Sequence, residues 1–261
     1  MNFIEIDCRE QTGEWSMSDL QSHDYFEIYF LLKGTRRLFL GEKIYTVSAP
    51  AVCVIPPFCM HKTEGGAYRR ININVSVDLL FDEELSFLNS LGKTVIYKLD
   101  LDRAELFLQI LESAAISTPR PESRYLTQSY LHILIHLLKN DCISPSDITP
   151  DSPKQKTNVV LSKIIEYINE NYKEDFSIET LCHKFFISKN TLCAQFHSLM
   201  NCSATQYRTF VRISKAKELL ASTSKSMEVI AEECGFSSAN YFCLIFKKNV
   251  GIAPSYYRKA K

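Results

Sequence analysis

The chain has 261 residues, 46% hydrophobic and 23% charged, and its 30 Lys and Arg are balanced by 30 Asp and Glu. That composition excludes bulk disorder and gives enough length for two soluble domains of ordinary size. No run of about 18 apolar residues offers a membrane span, and the opening MNFIEIDCREQTG carries acids where a secretion signal needs a basic start and an apolar stretch, so a cytoplasmic location is expected.

The balanced charge conceals an asymmetry. After Asn158 there are 14 Lys and Arg against 9 Asp and Glu, a net +5, and the preceding part carries the compensating −5. A basic carboxy-terminal part is a mild pointer to nucleic acid, although an excess of this size is common on ordinary solvated faces. The nine cysteines are an odd number, include no C-x-x-C, and mostly fall inside regular elements, which reads as reduced thiols rather than a disulfide framework.

In chain order, the first elements are strands. YFEIYFLLKG, RRLFLG, KIYTVS, AVCVIPP and RRININVSV are short, aromatic or β-branched, and are separated by glycines and prolines between Tyr25 and Val77. Close-spaced short strands predict a small barrel or sandwich. Arg69 and Arg70 open the last of these strands and face opposite sides, so only one reaches the interior. Arg69 is the candidate to meet a carboxylate or hydroxyl-rich ligand, with exposed edge charge as the plainer alternative.

The period then changes to that of helices in LDRAELFLQILESAAIS and ESRYLTQSYLHILIHLLKN, the second placing Leu126, Tyr130, Ile133, Leu134 and Leu137 on one stripe. His132 and His136 are four apart, but no third ligand lies near in sequence, and they read as an exposed flank. Residues 142–157 contain three prolines among small polar residues, the composition of a linker, so the expected division is 1–141, linker 142–157 and 158–261.

Beyond the linker, about seven helices are predicted, punctuated by the turn or capping stretches EDFS, ISKN, NCSA, STSKS, GFSSAN and GIAPS. Two helix-turn-helix patterns occur among them. SIETLCHKFFISKNTLCAQFHSLM gives a short helix from Ile178, a turn near Ile187 and a helix from Lys189 with Leu192, Phe196 and Leu199 on one face. SMEVIAEECGFSSANYFCLIFKKNV repeats the layout, with Ile230 and Ala231 inward, Gly235 at the left-handed turn, and Phe242, Ile245 and Phe246 toward the core. Two such helices on one connector are able to enter successive major grooves, about 34 Å apart.

Ile230, Ala231, Gly235, Phe236, Ser238, Tyr241, Phe242, Phe246, Lys247, Lys248, Gly251, Pro254, Tyr257 and Arg258 resemble the carboxy-terminal signature of AraC/XylS-type transcription regulators. Leu192, Phe196, Tyr207, Arg212, Ala216, Leu219 and Leu220 match its upstream half. The amino-terminal HDYFEIYFLLKG and VIPPFCMH are similar to the two motifs of that family's ligand-sensing cupin. The resemblance implies an α+β chain: a cupin-like β-barrel with flanking helices, then an all-α domain with two helix-turn-helix units. Its implied partners are double-stranded DNA, an unidentified small-molecule effector, RNA polymerase and a second copy of the chain, with no membrane.

His23, Glu27 and His61 stand where metal-binding cupins keep three ligands, while Gln21 replaces another histidine. They could hold Zn²⁺ or Fe²⁺, or line a polar ligand pocket. The pocket is the expectation, with no metal, cofactor or catalysis; the rival is a metal-dependent cupin enzyme with a DNA-binding tail.

The groove-facing candidates are Lys189, Asn190, Cys193, Ala194 and His197 in the first unit, and Ser238, Ala239, Asn240, Cys243, Leu244, Lys247 and Lys248 in the second. The family usually carries an arginine at the positions of Ala194 and Leu244. Their absence removes two guanine contacts worth about 1–3 kcal/mol of discrimination each. Asn190 and Asn240 suit adenine, and Ala194, Ala239 and Leu244 suit thymine methyls, so an A·T-rich site is expected; loss of DNA binding is the opposing reading. Phe186, at a turn where small or polar residues are common, suggests a distorted first unit.

Overall fold

The computed structural model describes residues 3–17, 20–41, 43–90, 95–99, 101–117, 124–141 and 156–259. Most of the expected linker, from Cys142 to Gln155, lies outside them. The chain divides into two units, residues 1–17 with 23–151, and residues 18–22 with 152–261.

Among the described residues the first unit has eight strands: β1 (Ile4–Gln11), β2 (Trp15–Ser16), β3 (Phe26–Leu40), β4 (Lys43–Ser48), β5 (Ala51–Ile55), β6 (His61–Gly65), β7 (Tyr68–Val75) and β8 (Val95–Lys98). One sheet runs β1-β7-β3-β5-β8, while the second half of β3 pairs with β4 and β6, and β6 with β2. The two stretches expected as separate strands are therefore one, shared by both layers of the barrel. The change of layer follows a register shift between Leu31 and Lys33 and a left-handed Gly34, φ +91°, where a Cβ would lie 2.2 Å from the Ala67 carbonyl oxygen. Only glycine fits that corner.

Period-two alternation divides the strand residues between two cores. Phe26, Ile28, Phe30, Val52, Val54, Ile71 and Ile73 pack outward against helices α2 (Leu101–Ser117) and α3 (Arg124–Asp141). Tyr29, Leu31, Leu38, Leu40, Val47, Cys53 and Tyr68 pack together between the sheets.

On α3 the stripe against the barrel is Thr127, Leu131, Leu134, Ile135 and Leu138. Of the expected stripe only Leu134 is fully buried; Leu126 and Ile133 are about half exposed on the adjoining flank, beside Tyr130 and Leu137. Both sets satisfy helical spacing, so periodicity alone did not choose between them. His132 is not a free flank either: it stacks on Phe81 and its Nδ1 lies 2.7 Å from Glu84 Oε1, on α1 (Asp82–Ser90).

The second unit contains seven helices among the described residues: α4 (Lys156–Glu170), α5 (Ile178–Phe185), α6 (Lys189–Met200), α7 (Ala204–Ser222), α8 (Met227–Glu233), α9 (Ala239–Val250) and α10 (Pro254–Lys259). Five start in the same way. Ser177, Ser188, Ser203, Ser226 and Ser238 each accept a hydrogen bond from the amide three residues on, satisfying a donor the helix cannot use. Arg212 on α7 is buried and donates to the carbonyls of Tyr172, Lys173 and Glu174, fastening the loop after α4.

Candidate functional site

The two helix-turn-helix units, α5–α6 and α8–α9, close their turns with the same backbone pattern. The Ile187 amide donates to the Cys182 carbonyl and the Phe236 amide to the Ala231 carbonyl, each five residues back. Ahead of each donor stands a left-handed residue, Phe186 (φ 53°) in the first unit and Gly235 (φ 78°) in the second. This is a helix C-terminal cap in both cases. The turn at Phe186 is thus not distorted; a phenylalanine, 97% exposed, occupies the position of a glycine.

Each second helix keeps one face in the core and leaves the other bare. On α6, Leu192, Phe196, Leu199 and Met200 are buried, while Lys189, Asn190, Cys193, Ala194 and His197 are exposed. On α9, Phe242 and Phe246 are buried, and Ser238, Asn240, Leu244, Lys247 and Lys248 are exposed. Ala239 and Cys243 turn partly toward the core and pack against it, as Ile245 does. Leu244 is 65% exposed, so the helix is not buried all round.

Two of the candidates already have partners. Lys189 Nζ donates to Glu179 Oε1 at 2.8 Å, and the lysine's hydrogen bond holds the exposed Glu179 carboxyl down at about 2. Ser238 Oγ accepts the Tyr241 amide at 3.2 Å. Its hydroxyl proton remains available to an acceptor outside the helix.

In the barrel the structure brings His23, Glu27 and His61 together. The Nε2 atoms of His23 and His61 lie 3.1 and 3.3 Å from one oxygen, Glu27 Oε2. Asn72 Nδ2 donates to the other, Oε1, at 2.6 Å. Burial pushes the Glu27 carboxyl up, but its hydrogen bonds with the two histidines outweigh this and hold it below the usual range. For His61 burial lowers the pKa and the Glu27 hydrogen bond more than offsets it; for His23 burial wins and the shift is downward. The ligand atoms of the three lie within 4.8 Å of one another, so as a donor set they fit a metal ion as well as a polar ligand.

Arg69 does not join this group. Its side chain reaches Glu112 at 2.6 Å and is exposed, whereas Arg70 is the inward member of the pair, bonded to Asp7 and lying over the Tyr29 ring. A third arginine escaped the sequence reading. Arg36 is fully buried, stacked on Tyr68 with its Cζ 4.3 Å from the ring centroid and facing Trp15 at 5.5 Å. The buried polar atoms Arg36 Nε, Tyr68 Oη, Arg70 Nη1 and Asn72 Oδ1 of β3 and β7 make no hydrogen bond among the described residues. The signal available was period two on RRLFLG, which sends Arg36, Leu38 and Leu40 to one face.

A polar-lined barrel followed by paired helix-turn-helix units is the plan of a ligand-sensing, DNA-binding regulator. Residues 3–135 match the AraC-like ligand binding domain family and residues 181–260 a helix-turn-helix domain family. The chain belongs to the AraC-type transcription regulators, which are DNA-binding proteins with a ligand-binding domain.

Relatives span most of it. The uncharacterized transcriptional regulator YfiF of Bacillus subtilis is 24% identical over 247 residues, 92% of this chain and 78% of that one. The transcriptional activator RhaR of Escherichia coli is 22% identical over 251 residues, 91% and 86% of the two chains. Among solved structures, ToxT of Vibrio cholerae superposes with TM-score 0.40 at 12% identity, covering 98% of this chain and 96% of that one. The DNA-binding domain of AdpA, solved in complex with a target DNA, matches with TM-score 0.37 at 29% identity over 38% of this chain and 90% of its own. The curated relatives are named as transcription regulators, and nothing in them supports a metal-dependent enzyme.

Proposed function

We propose that the α6 and α9 outer faces read two successive major grooves of an A·T-rich operator, and that a small molecule held in the barrel changes how the protein occupies that operator. The observation that carries this is the duplicated unit. Two helices with the same cap, the same buried face and bare outer faces are joined by α7, whose 19 residues extend about 28 Å. Asn190 and Asn240 pair with adenine, while Ala194 and Leu244, with Ala239 and Cys243 at the edge of the face, meet thymine methyls. His197 stands on the same face. Lys189, Lys247, Lys248 and Ser238 hold phosphates and set the register without reading bases.

The effector reading rests on the barrel interior. Apolar barrels of this size do not need a buried arginine, two tyrosines and a Glu–His cluster for stability, and polar groups left without partners there suit a ligand that supplies them. The sensing domain comprises residues 1–141, followed by a linker over 142–157 and a DNA-binding domain over 158–261. The half-exposed flank of α3, Leu126, Tyr130, Ile133 and Leu137, pairs with its copy in a homodimer. The protein acts with RNA polymerase in the cytoplasm and performs no catalysis. Selection of bound sequences from random duplex DNA by the purified chain tests the reading: an enriched A·T-rich motif supports it, and recovery of unselected sequence refutes it.

A further inference from the structure

We infer that His23, Glu27 and His61 form a site for one divalent first-row transition-metal ion inside the barrel, which sharpens the sensing role proposed for that domain and rests on it. His23 Nδ1 lies 2.9 Å from the Tyr25 carbonyl oxygen and His61 Nδ1 lies 3.0 Å from that of Cys59. A carbonyl only accepts, so each ring must carry its proton on Nδ1, and a neutral imidazole then presents a bare lone pair at Nε2. Both Nε2 atoms nevertheless converge on one carboxylate oxygen, Glu27 Oε2, at 3.1 and 3.3 Å. As neutral imidazoles the two rings turn lone pairs on that carboxylate oxygen, and only by taking up a second proton can either donate to it instead. A cation among them turns all three contacts into bonds.

The surroundings are those of metal ligands. Each ligand is oriented by an outer partner: Tyr25 O and Cys59 O fix the two rings, and Asn72 Nδ2, 2.6 Å from Oε1, leaves Oε2 as the coordinating oxygen. The Tyr25 ring also stacks on His23 at 3.8 Å between centroids. Around a tetrahedral ion with bonds of about 2.0–2.1 Å, neighbouring ligand atoms are about 3.3 Å apart. The observed separations from Oε2 agree with that edge. Two imidazoles and a carboxylate select zinc, iron, cobalt, nickel or manganese over calcium or magnesium, and they leave a coordination position for water or an effector oxygen.

The test uses the full chain, stripped with a chelator and titrated with Co²⁺, whose visible bands report nitrogen and oxygen ligation, and then with Zn²⁺ as competitor. The expected result is one equivalent of Co²⁺ bound, displaced by Zn²⁺, with a raised melting temperature. Glu27→Gln and His23→Gln should each weaken uptake by about a hundredfold or more while keeping the metal-free circular dichroism of the parent. No stoichiometric uptake by the parent chain, with the three groups acting only as a hydrogen-bonded cluster, overturns the site; so does equal uptake by both variants. Operator affinity with and without Zn²⁺ separates the two claims. Uptake that leaves DNA binding unchanged keeps the site and refutes its sensing role, and a chain that binds DNA but no metal refutes the site alone.

Discussion

Leu244 and Phe246 stand two positions apart on one helix and face opposite ways, Phe246 fully buried and Leu244 65% exposed. An arginine at each therefore has opposite consequences. Phe246→Arg strands a charge in the core of the second unit and should unfold it, at a cost of several kcal/mol, on the order of 4 or more. Leu244→Arg should keep the melting temperature within about 2 °C and tighten DNA binding, with a salt dependence steeper by about one counterion if the guanidinium meets a phosphate. Thermal melts and affinities at two salt concentrations check both.

The two capped turns make a second matched pair. A Cβ on Gly235 would lie 2.4 Å from the Lys173 carbonyl oxygen and 2.6 Å from its Cα, both backbone atoms that cannot move aside cheaply. Gly235→Ala adds left-handed strain to that clash and should cost about 3 kcal/mol or more. Phe186→Gly should do the reverse: the ring packs on nothing, so removing it relieves the left-handed strain and raises stability by up to about 1 kcal/mol. Denaturant melts of both variants report the sign.

These positions mark how far the sequence can be read. The serine caps, the α6 and α9 core faces and the Gly235 turn were legible because each depends on residues close in sequence, as were strands rich in aromatic and β-branched residues. β6, with the sequence HKTEG, was not: only Thr63 in it favours a strand, and its conformation comes from pairing with β2 and β3. β1, IEIDCREQ, escaped because its four charged residues mask the alternation of Ile4 and Ile6. The buried stripe of α3 could not be singled out because two adjoining apolar stripes share one period. His23, Glu27 and His61 were recognisable by resemblance, but their convergence on one oxygen, and the burial of Arg36, depend on strand register and on the corner at Gly34.

Arg212 belongs to the family signature, yet its hydrogen bonds go to the fold. It is buried against three carbonyls of the loop after α4, while its ion-pair partner Asp175 is largely exposed and contributes little. Arg212→Met should therefore lower stability by about 3 kcal/mol by leaving those carbonyls unpaired. Under conditions where the variant remains folded, operator affinity should be unchanged. A variant that melts normally but no longer binds DNA would assign the residue to the interface instead.

Asn240 tests base reading. Asn240→Ala should weaken the best site by about tenfold and relax preference at one base pair, whose wild-type identity is A·T. Competition among single-base variants of the operator separates this from a phosphate contact, which would weaken every sequence alike.

The central claim, that one chain places two recognition helices in successive grooves, is most directly tested by hydroxyl-radical footprinting of the full protein on a selected operator. The account predicts two protected windows for each bound chain, about 10 base pairs apart on one face of the duplex. Phe186→Gly should leave both windows in place, and Asn240→Ala should weaken only the one occupied by α9. A single window per chain, or protection spread evenly over selected and random DNA, would contradict it.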